Sequence, residues 1–250
     1  MPRPNRQTML PRMLLAALLL AGPAAAQPLS PDARREVVQI LRDTLRQDPS
    51  ILRDAVAALQ ADDTRQQDDS LRSIIRASQA ALFADPADPV AGNPQGRVSV
   101  AYFYDTRCPY CRQMAPTLAG LLKSDPDVRL VYKDLPILGP ASVLESRALL
   151  AAHRQGRYQT LHDVFLRSGG MPTPESLRQD AQAAGLDGAR LVRDMDDPAV
   201  QTHLAATLQL ARTLQIQGTP AIVVGDRLYP GALDATQLRQ AVADARSVRR

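Results

Sequence analysis

Only two cysteines and three histidines occur in the 250 residues. Two thiols exclude a disulfide-stapled mini-domain and a four-cysteine zinc site. The chain also has no P-loop, no GxGxxG and no Ser/His/Asp arrangement, which leaves nucleotide enzymes and hydrolases without support. No internal repeat or low-complexity tract stands out. With 22% charged residues and scattered Gly and Pro, a disordered or fibrous chain is not expected. Beyond the first 26 residues, no stretch is apolar for long enough to cross a membrane. The formal charge of +4 is no sign of nucleic-acid binding, because Arg3, Arg6 and Arg12 sit in an opening segment without acids. Without that segment the charge falls to about +1, so nucleic acid is not an expected partner.

That opening segment reads as an export signal. It runs from the arginines through Met13–Ala21 to Ala24-Ala25-Ala26, the basic, apolar, small-residue order of a leader cleaved after Ala26. Its apolar run of nine residues is shorter than the roughly 20 needed to span a bilayer. An uncleaved amphipathic anchor is the alternative, and the absence of a nearby Cys excludes a lipoprotein. The expectation is a periplasmic protein in a compartment where disulfides form.

The remaining chain is hydrophobic enough for a sizeable core, at 45% over the whole sequence, and divides near Pro86–Gly96. Leu29–Phe83 reads as helices, with Ser30-Pro31 and Asp48-Pro49 as capping signals. Val38, Leu41 and Leu45, then Leu52, Val56 and Leu59, recur at helical steps and make one apolar face. The polar stretch Ala61–Asp69 interrupts that pattern before Leu71, Ile75, Ser78 and Leu82 resume it. Thin helices cannot bury such a face on themselves, so it needs a partner chain or must fold back on the main domain. Asp85–Pro94 reads as a turn-rich connector.

Arg97 opens a different rhythm. Val98–Tyr104 is a strand running into Cys108, followed by a helix from about Cys108 to Leu122 and a strand at Val128–Tyr132. Residues 141–215 are helical in pattern. Ala221–Val224 then turns through Gly225-Asp226 into Arg227–Tyr229 as a hairpin, and a last helix covers Ala235–Ala245. The order is that of an α/β domain.

The chemistry is concentrated in Cys108-Pro109-Tyr110-Cys111. A C-x-x-C between a strand and a helix is a redox context. The first sulfur lies at the helix N-terminus, where unpaired N–H groups and the dipole favour thiolate, so Cys108 is the candidate nucleophile. Cys111, one turn further in, would resolve the mixed disulfide, and Pro109 has no N–H to leave unpaired. The competing readings are weaker. A zinc site would need two more ligands, and His153, His162 and His203 have no ligand-like spacing, so they read as surface or packing residues. A purely structural disulfide would close too small a loop to stabilise much. Arg107 and Arg112 flank the motif and read as solvated charges. Thiols binding Cu(I) in a metal-handling or chaperone protein form the alternative from another class, without a supporting Met-x-x-Met cluster.

Phe103 through Cys111 resembles the active-site segment of DsbA-family thiol-disulfide oxidoreductases. Lys133–Gly139 is similar to the segment after that family's second strand, Gln155–His162 to its insertion, and Gly218–Ala221 to its cis-proline loop. The resemblance implies a thioredoxin-like fold over residues 97–250 with a helical insertion at about 141–215. It implies a redox-active Cys108–Cys111 disulfide, substrate contacts at Pro109, Tyr110, Thr219 and Pro220, and no cofactor or metal. The Thr219-Pro220 bond would be cis and face the C-x-x-C, with the Thr219 backbone pairing to an extended substrate as an added strand does. Tyr102 stands where relatives often carry Glu. Residues 27–84, with 85–96 as linker, resemble the oligomerisation region of the ScsC branch, which has disulfide isomerases. Expected partners are unfolded or misoxidised exported proteins, a membrane redox partner that recycles the pair, and copies of the chain itself, a trimer by resemblance. A monomeric dithiol oxidase of the same family is the nearest alternative.

Overall fold

The computed structural model describes residues 29–248, so the leader read in residues 1–26 lies outside them. The chain divides between Asp62 and Asp63 into two compact units.

The first unit holds helix α1, Pro31–Gln47, and the opening of α2, Ser50–Ala77. Ser30 caps α1 by accepting from the Ala33 N–H, with Pro31 in the first turn where its missing donor costs nothing. No residue of α1 is buried. Val38, Leu41, Leu45, Leu52, Val56 and Leu59 are each 41% to 66% exposed, so the apolar face has no partner within the unit. The polar stretch Ala61–Asp69 does not break the helix, contrary to the interruption read from its composition. It contains no Gly or Pro to break the helix, and Ala61, Arg65, Gln66 and Gln67 offset the weaker propensity of its four Asp, so polarity ends the apolar stripe without ending the helix.

The second unit continues through α3 (Gln79–Phe83), β1 (Val90–Gly92), β2 (Val98–Tyr104), α4 (Pro109–Ser124) and β3 (Val128–Asp134). Five helices follow: α5 (Pro140–His153), α6 (Tyr158–Arg167), α7 (Pro174–Ala183), α8 (Gly188–Asp194) and α9 (Pro198–Thr213). Strands β4 (Ala221–Val224) and β5 (Arg227–Pro230) and helix α10 (Ala235–Val248) complete it. This is the expected thioredoxin-like α/β fold with a helical insertion between β3 and β4.

The sheet order is β1-β3-β2-β4-β5, which places β2 at the centre. β2 runs parallel to β3, with Tyr102 opposite Tyr132, and antiparallel to β4. Alternate residues of a strand face opposite sides, and both sides of β2 are covered. Val100, Tyr102 and Tyr104 pack with Met114 and Leu118 of α4 and Leu161 and Phe165 of α6. Ala101 and Phe103 pack on the other face with Ile75, Leu82, Leu214 and Val223.

Two details differ from the sequence reading. Ile75 and Leu82 belong to this core at 0% exposure, so the compact unit begins inside α2 and well before the connector. The stretch read as linker 85–96 contains β1, antiparallel to β3 with Val90 opposite Val131. A three-residue strand between Asp-Pro and Gly-Asn-Pro turns has too few residues to show a period. Gly92 has φ +76°, and a Cβ there would lie 2.7 Å from the Val128 carbonyl, so the edge strand ends on glycine by steric necessity.

Candidate active site

β2 aims the chain at the start of α4, and the turn between them carries the thiols. Cys108 is the N-cap of α4, with φ −74° and ψ 120°, and Pro109 follows in the first turn. The Cys108 N–H donates to the Asp105 carbonyl at 3.0 Å, and its own carbonyl accepts from the Arg112 N–H at 3.1 Å. Its Sγ–H donates to the Thr219 carbonyl at 3.2 Å. The Thr219-Pro220 peptide is cis, and Pro220 is buried. The structure therefore brings Cys108, Thr219 and Pro220 together. Pro109 and Tyr110 are exposed beside them, Tyr110 at 62%.

The two sulfurs differ in environment. Both are free thiols; Cys108 is 4% exposed and Cys111 is fully buried. Burial pushes the Cys111 thiol up to about 12, and the neighbouring Cys108 adds to the rise against a hydrogen bond with the Asp105 backbone. Tyr102 is also buried, and its hydroxyl donates to the Cys111 carbonyl at 3.4 Å. Burial raises that phenol well above its ordinary range, so it stays a donor.

Two buried carboxylates outside the motif hold the turn. Asp105 accepts from the Arg107 N–H at 2.9 Å through one oxygen. Its other oxygen accepts from the Ile137 and Leu138 N–H groups at 3.0 and 3.1 Å. Glu145 of α5 accepts from the Thr106 hydroxyl and, at 3.0 Å, from Arg107 Nη1, which also donates to the Gly170 carbonyl at 2.9 Å. Arg112 donates through Nε to the Thr106 carbonyl at 3.0 Å. Neither arginine is simply a solvated charge: both brace the segment that presents Cys108. An Asp followed by Thr between a strand and a helix carries a turn signal that points to Asp105. Glu145 has no sequence signal, since it meets the turn from another helix.

Beneath the motif, Asp134 accepts from Tyr104 at 3.0 Å and from Tyr158 at 2.8 Å. Burial raises this carboxyl to about 7, against the lowering effect of the two phenols. On the other face of the sheet, Asp88 pairs with Lys133 in full burial. His203 places Nε2 3.3 Å from Asp88 and Nδ1 3.7 Å from Asp85. Among the described residues, Asp85, Asp88 and His203 form the group with metal-ligand proximity, and the Lys133 ammonium already supplies a cation to it.

Residues 99–243, more than half of the chain, match the DSBA-like thioredoxin domain. The chain belongs to that family, one of thiol-disulfide oxidoreductases. Residues 34–66 match the N-terminal domain of the copper resistance protein ScsC. Among solved structures, a thioredoxin-like oxidoreductase from Silicibacter pomeroyi is 43% identical, with a TM-score of 0.65 over 67% of this chain and 97% of that one. Proteus mirabilis ScsC in a transitional conformation is 29% identical, with a TM-score of 0.65 over 88% of this chain and 98% of that one. A curated relative, the Na(+)/H(+) antiporter NhaA 3 of Salinispora tropica, is 29% identical over 70% of this chain. The DSBA-like chain spans only 28% of that antiporter's length. Among the described residues, no helix is long and apolar enough to cross a membrane.

Proposed function

We propose that the protein is a periplasmic thiol-disulfide oxidoreductase that forms, reduces or isomerises disulfides of exported proteins through Cys108 and Cys111. In the reductive direction, the Cys108 thiolate attacks a substrate disulfide, forming a mixed disulfide and expelling one substrate sulfur as thiolate. Cys111 then loses its proton and attacks Cys108 Sγ. The Cys108–Cys111 bond forms, the mixed disulfide breaks, and the second substrate sulfur leaves with the electron pair. Oxidation of a substrate dithiol is the reverse, and a membrane redox partner recycles the pair.

The observation that carries this reading is the Cys108 thiol 3.2 Å from the Thr219 carbonyl, beside Pro220. A main-chain acceptor next to the nucleophile can pair with any extended segment, which suits many unfolded substrates. The exposed stripe of α1 and early α2 supports a homo-oligomer, a trimer by similarity to ScsC. Several C-x-x-C sites in one assembly raise the effective concentration for re-attack on a non-native bond, which favours isomerisation. The test compares oxidation of a reduced multi-disulfide protein with recovery of the same protein from a scrambled state. Activity in both assays that is lost in Cys108→Ser supports the reading, and unchanged activity in that variant overturns it.

A further inference from the structure

The resolving step has a chemical difficulty. Cys111 is fully buried, its thiol is held up at about 12, and it must lose a proton to attack. Beside it lies a cavity of about 320 Å³ between α4, α6 and the sheet, lined by Cys111, Tyr102, Tyr132, Gln159, His162 and Asp163. It is large enough for water, and these groups, set in an otherwise apolar wall of Ala and Leu side chains, offer water partners. Most of these groups are poor bases. Tyr102 and Tyr132 are raised by burial and keep their protons. Asp163 is held low, first by its hydrogen bond with His162. Gln159 does not titrate.

His162 differs from all of them. It is 3% exposed, and its Nε2 is buried without a hydrogen-bond partner. Its Nδ1 lies 3.6 Å from Asp163 Oδ1 and 3.5 Å from Gln159 Nε2. With the proton on Nδ1, facing Asp163, Nε2 carries the free lone pair. A buried lone pair without a donor is costly unless the site uses it. The ring sits among Tyr104, Tyr132 and Tyr158 at centroid distances of 5.0, 5.1 and 6.0 Å. All three phenols are raised by burial, and the Asp134 carboxyl, which reaches Tyr104 and Tyr158 from β3, is itself raised to about 7, which leaves Asp163 as the low-lying anion beside the ring and Cys111 as the acid on the cavity wall.

We propose that His162 accepts the Cys111 proton through water in this cavity and returns it when the exchange runs backwards. The inference rests on the redox reading above. As the mixed disulfide resolves, the Cys111 S–H bond breaks, the proton passes by way of water to His162 Nε2, and the Cys111 sulfur bonds to Cys108. The substrate sulfur leaves as thiolate. Asp163 then pairs with the imidazolium, and no further oxidant or reductant is needed.

A chromogenic aryl disulfide added to the reduced full chain separates the two steps, because each releases one coloured thiolate. The first release needs Cys108 alone, and the second needs Cys111. In the native protein the second rate should climb much less than tenfold per pH unit. In His162→Asn it should fall at least about tenfold and then climb tenfold per pH unit, as attack by free thiolate requires. His162→Gln gives the same readout should the first variant fold poorly. A native second phase that already climbs tenfold per unit from pH 6 to 10 would overturn the proposal, as would an unchanged second phase in folded His162→Asn. Absence of any second release from native protein would instead defeat the dithiol reading on which the proposal stands.

Discussion

The Cys108 thiol donates to the Thr219 carbonyl at 3.2 Å, so nucleophile and main-chain acceptor already touch in the free protein. On the proposed function, an arriving substrate exchanges one contact for two: its sulfur takes Cys108 and its backbone takes Thr219. Cys111 sits one turn behind, fully buried. The division of labour between the thiols follows from this placement.

Alkylation of the reduced protein should therefore modify Cys108 first. Cys111, raised to about 12, stays protonated through neutral pH and should label only slowly, faster as pH rises toward that value. Peptide mapping after brief treatment reads the order, and equal labelling of both thiols at pH 7 would contradict it. Cys111→Ser should accumulate mixed disulfides on Cys108, visible by mass spectrometry.

Glu145 should matter for stability and for the first exchange step. Glu145→Ala leaves Arg107, whose side chain is 21% exposed, without its anion and releases the Thr106 hydroxyl. The expected cost is about 3 kcal/mol, the low end for breaking a buried pair, read from urea unfolding. The reaction of Cys108 with a small disulfide should slow because its turn loosens. A loss under about 1 kcal/mol would mean the pair is not needed to hold that turn.

Asp134 sets a pH dependence with a definite sign. Its carboxyl is raised from 3.8 to about 7, so its stabilising contribution is fully present below about pH 4 and is lost as pH rises toward 7. Asp134→Asn cannot ionise. The difference in urea midpoint between variant and native protein should move in favour of the variant from pH 4 to 7, and a difference that stays flat would show that the carboxyl does not titrate there.

Removing the helical arm should have two outcomes that depend on where the cut falls. Deletion of residues 27–62 removes the exposed stripe and spares Ile75 and Leu82, so the product should be a folded monomer that exchanges disulfides but isomerises poorly. Deletion of residues 27–84 removes both core residues, each worth roughly 1.5–3 kcal/mol of burial, and should be markedly less stable. Light scattering showing the full chain already monomeric would refute the oligomer.

The regular elements were legible because their periods are long enough to read. Val98–Tyr104 matches β2 to the residue, and the stretch 141–215 read as helical holds α5 to α9, Pro140 to Thr213. β1 was hidden by turn residues on both sides. α2 was hidden by its polar middle, where helix propensity outlasts amphipathicity. At the site, Cys108 and Cys111 announce themselves by spacing, and Thr219 and Pro220 by resemblance. Asp105 offers a local turn signal, whereas Glu145, Asp134 and His162 reach the site from α5, β3 and α6. Their roles depend on contacts between distant segments, which no local pattern encodes. His162 read as a packing residue, and its ring does pack among tyrosines; only its unpaired nitrogen and the adjoining cavity mark it as more.

The double grip of Asp105 on the Ile137 and Leu138 N–H groups has one more consequence. Those two side chains are 43% and 52% exposed, yet their backbone is tied through a single carboxylate to the turn before Cys108. Flexible loops that grip a guest must lose conformational freedom at the moment of contact, and binding weakens accordingly. Here that freedom was surrendered during folding. On the proposed function, a passing chain meets two apolar side chains whose backbone is already fixed to the turn that carries the reactive sulfur.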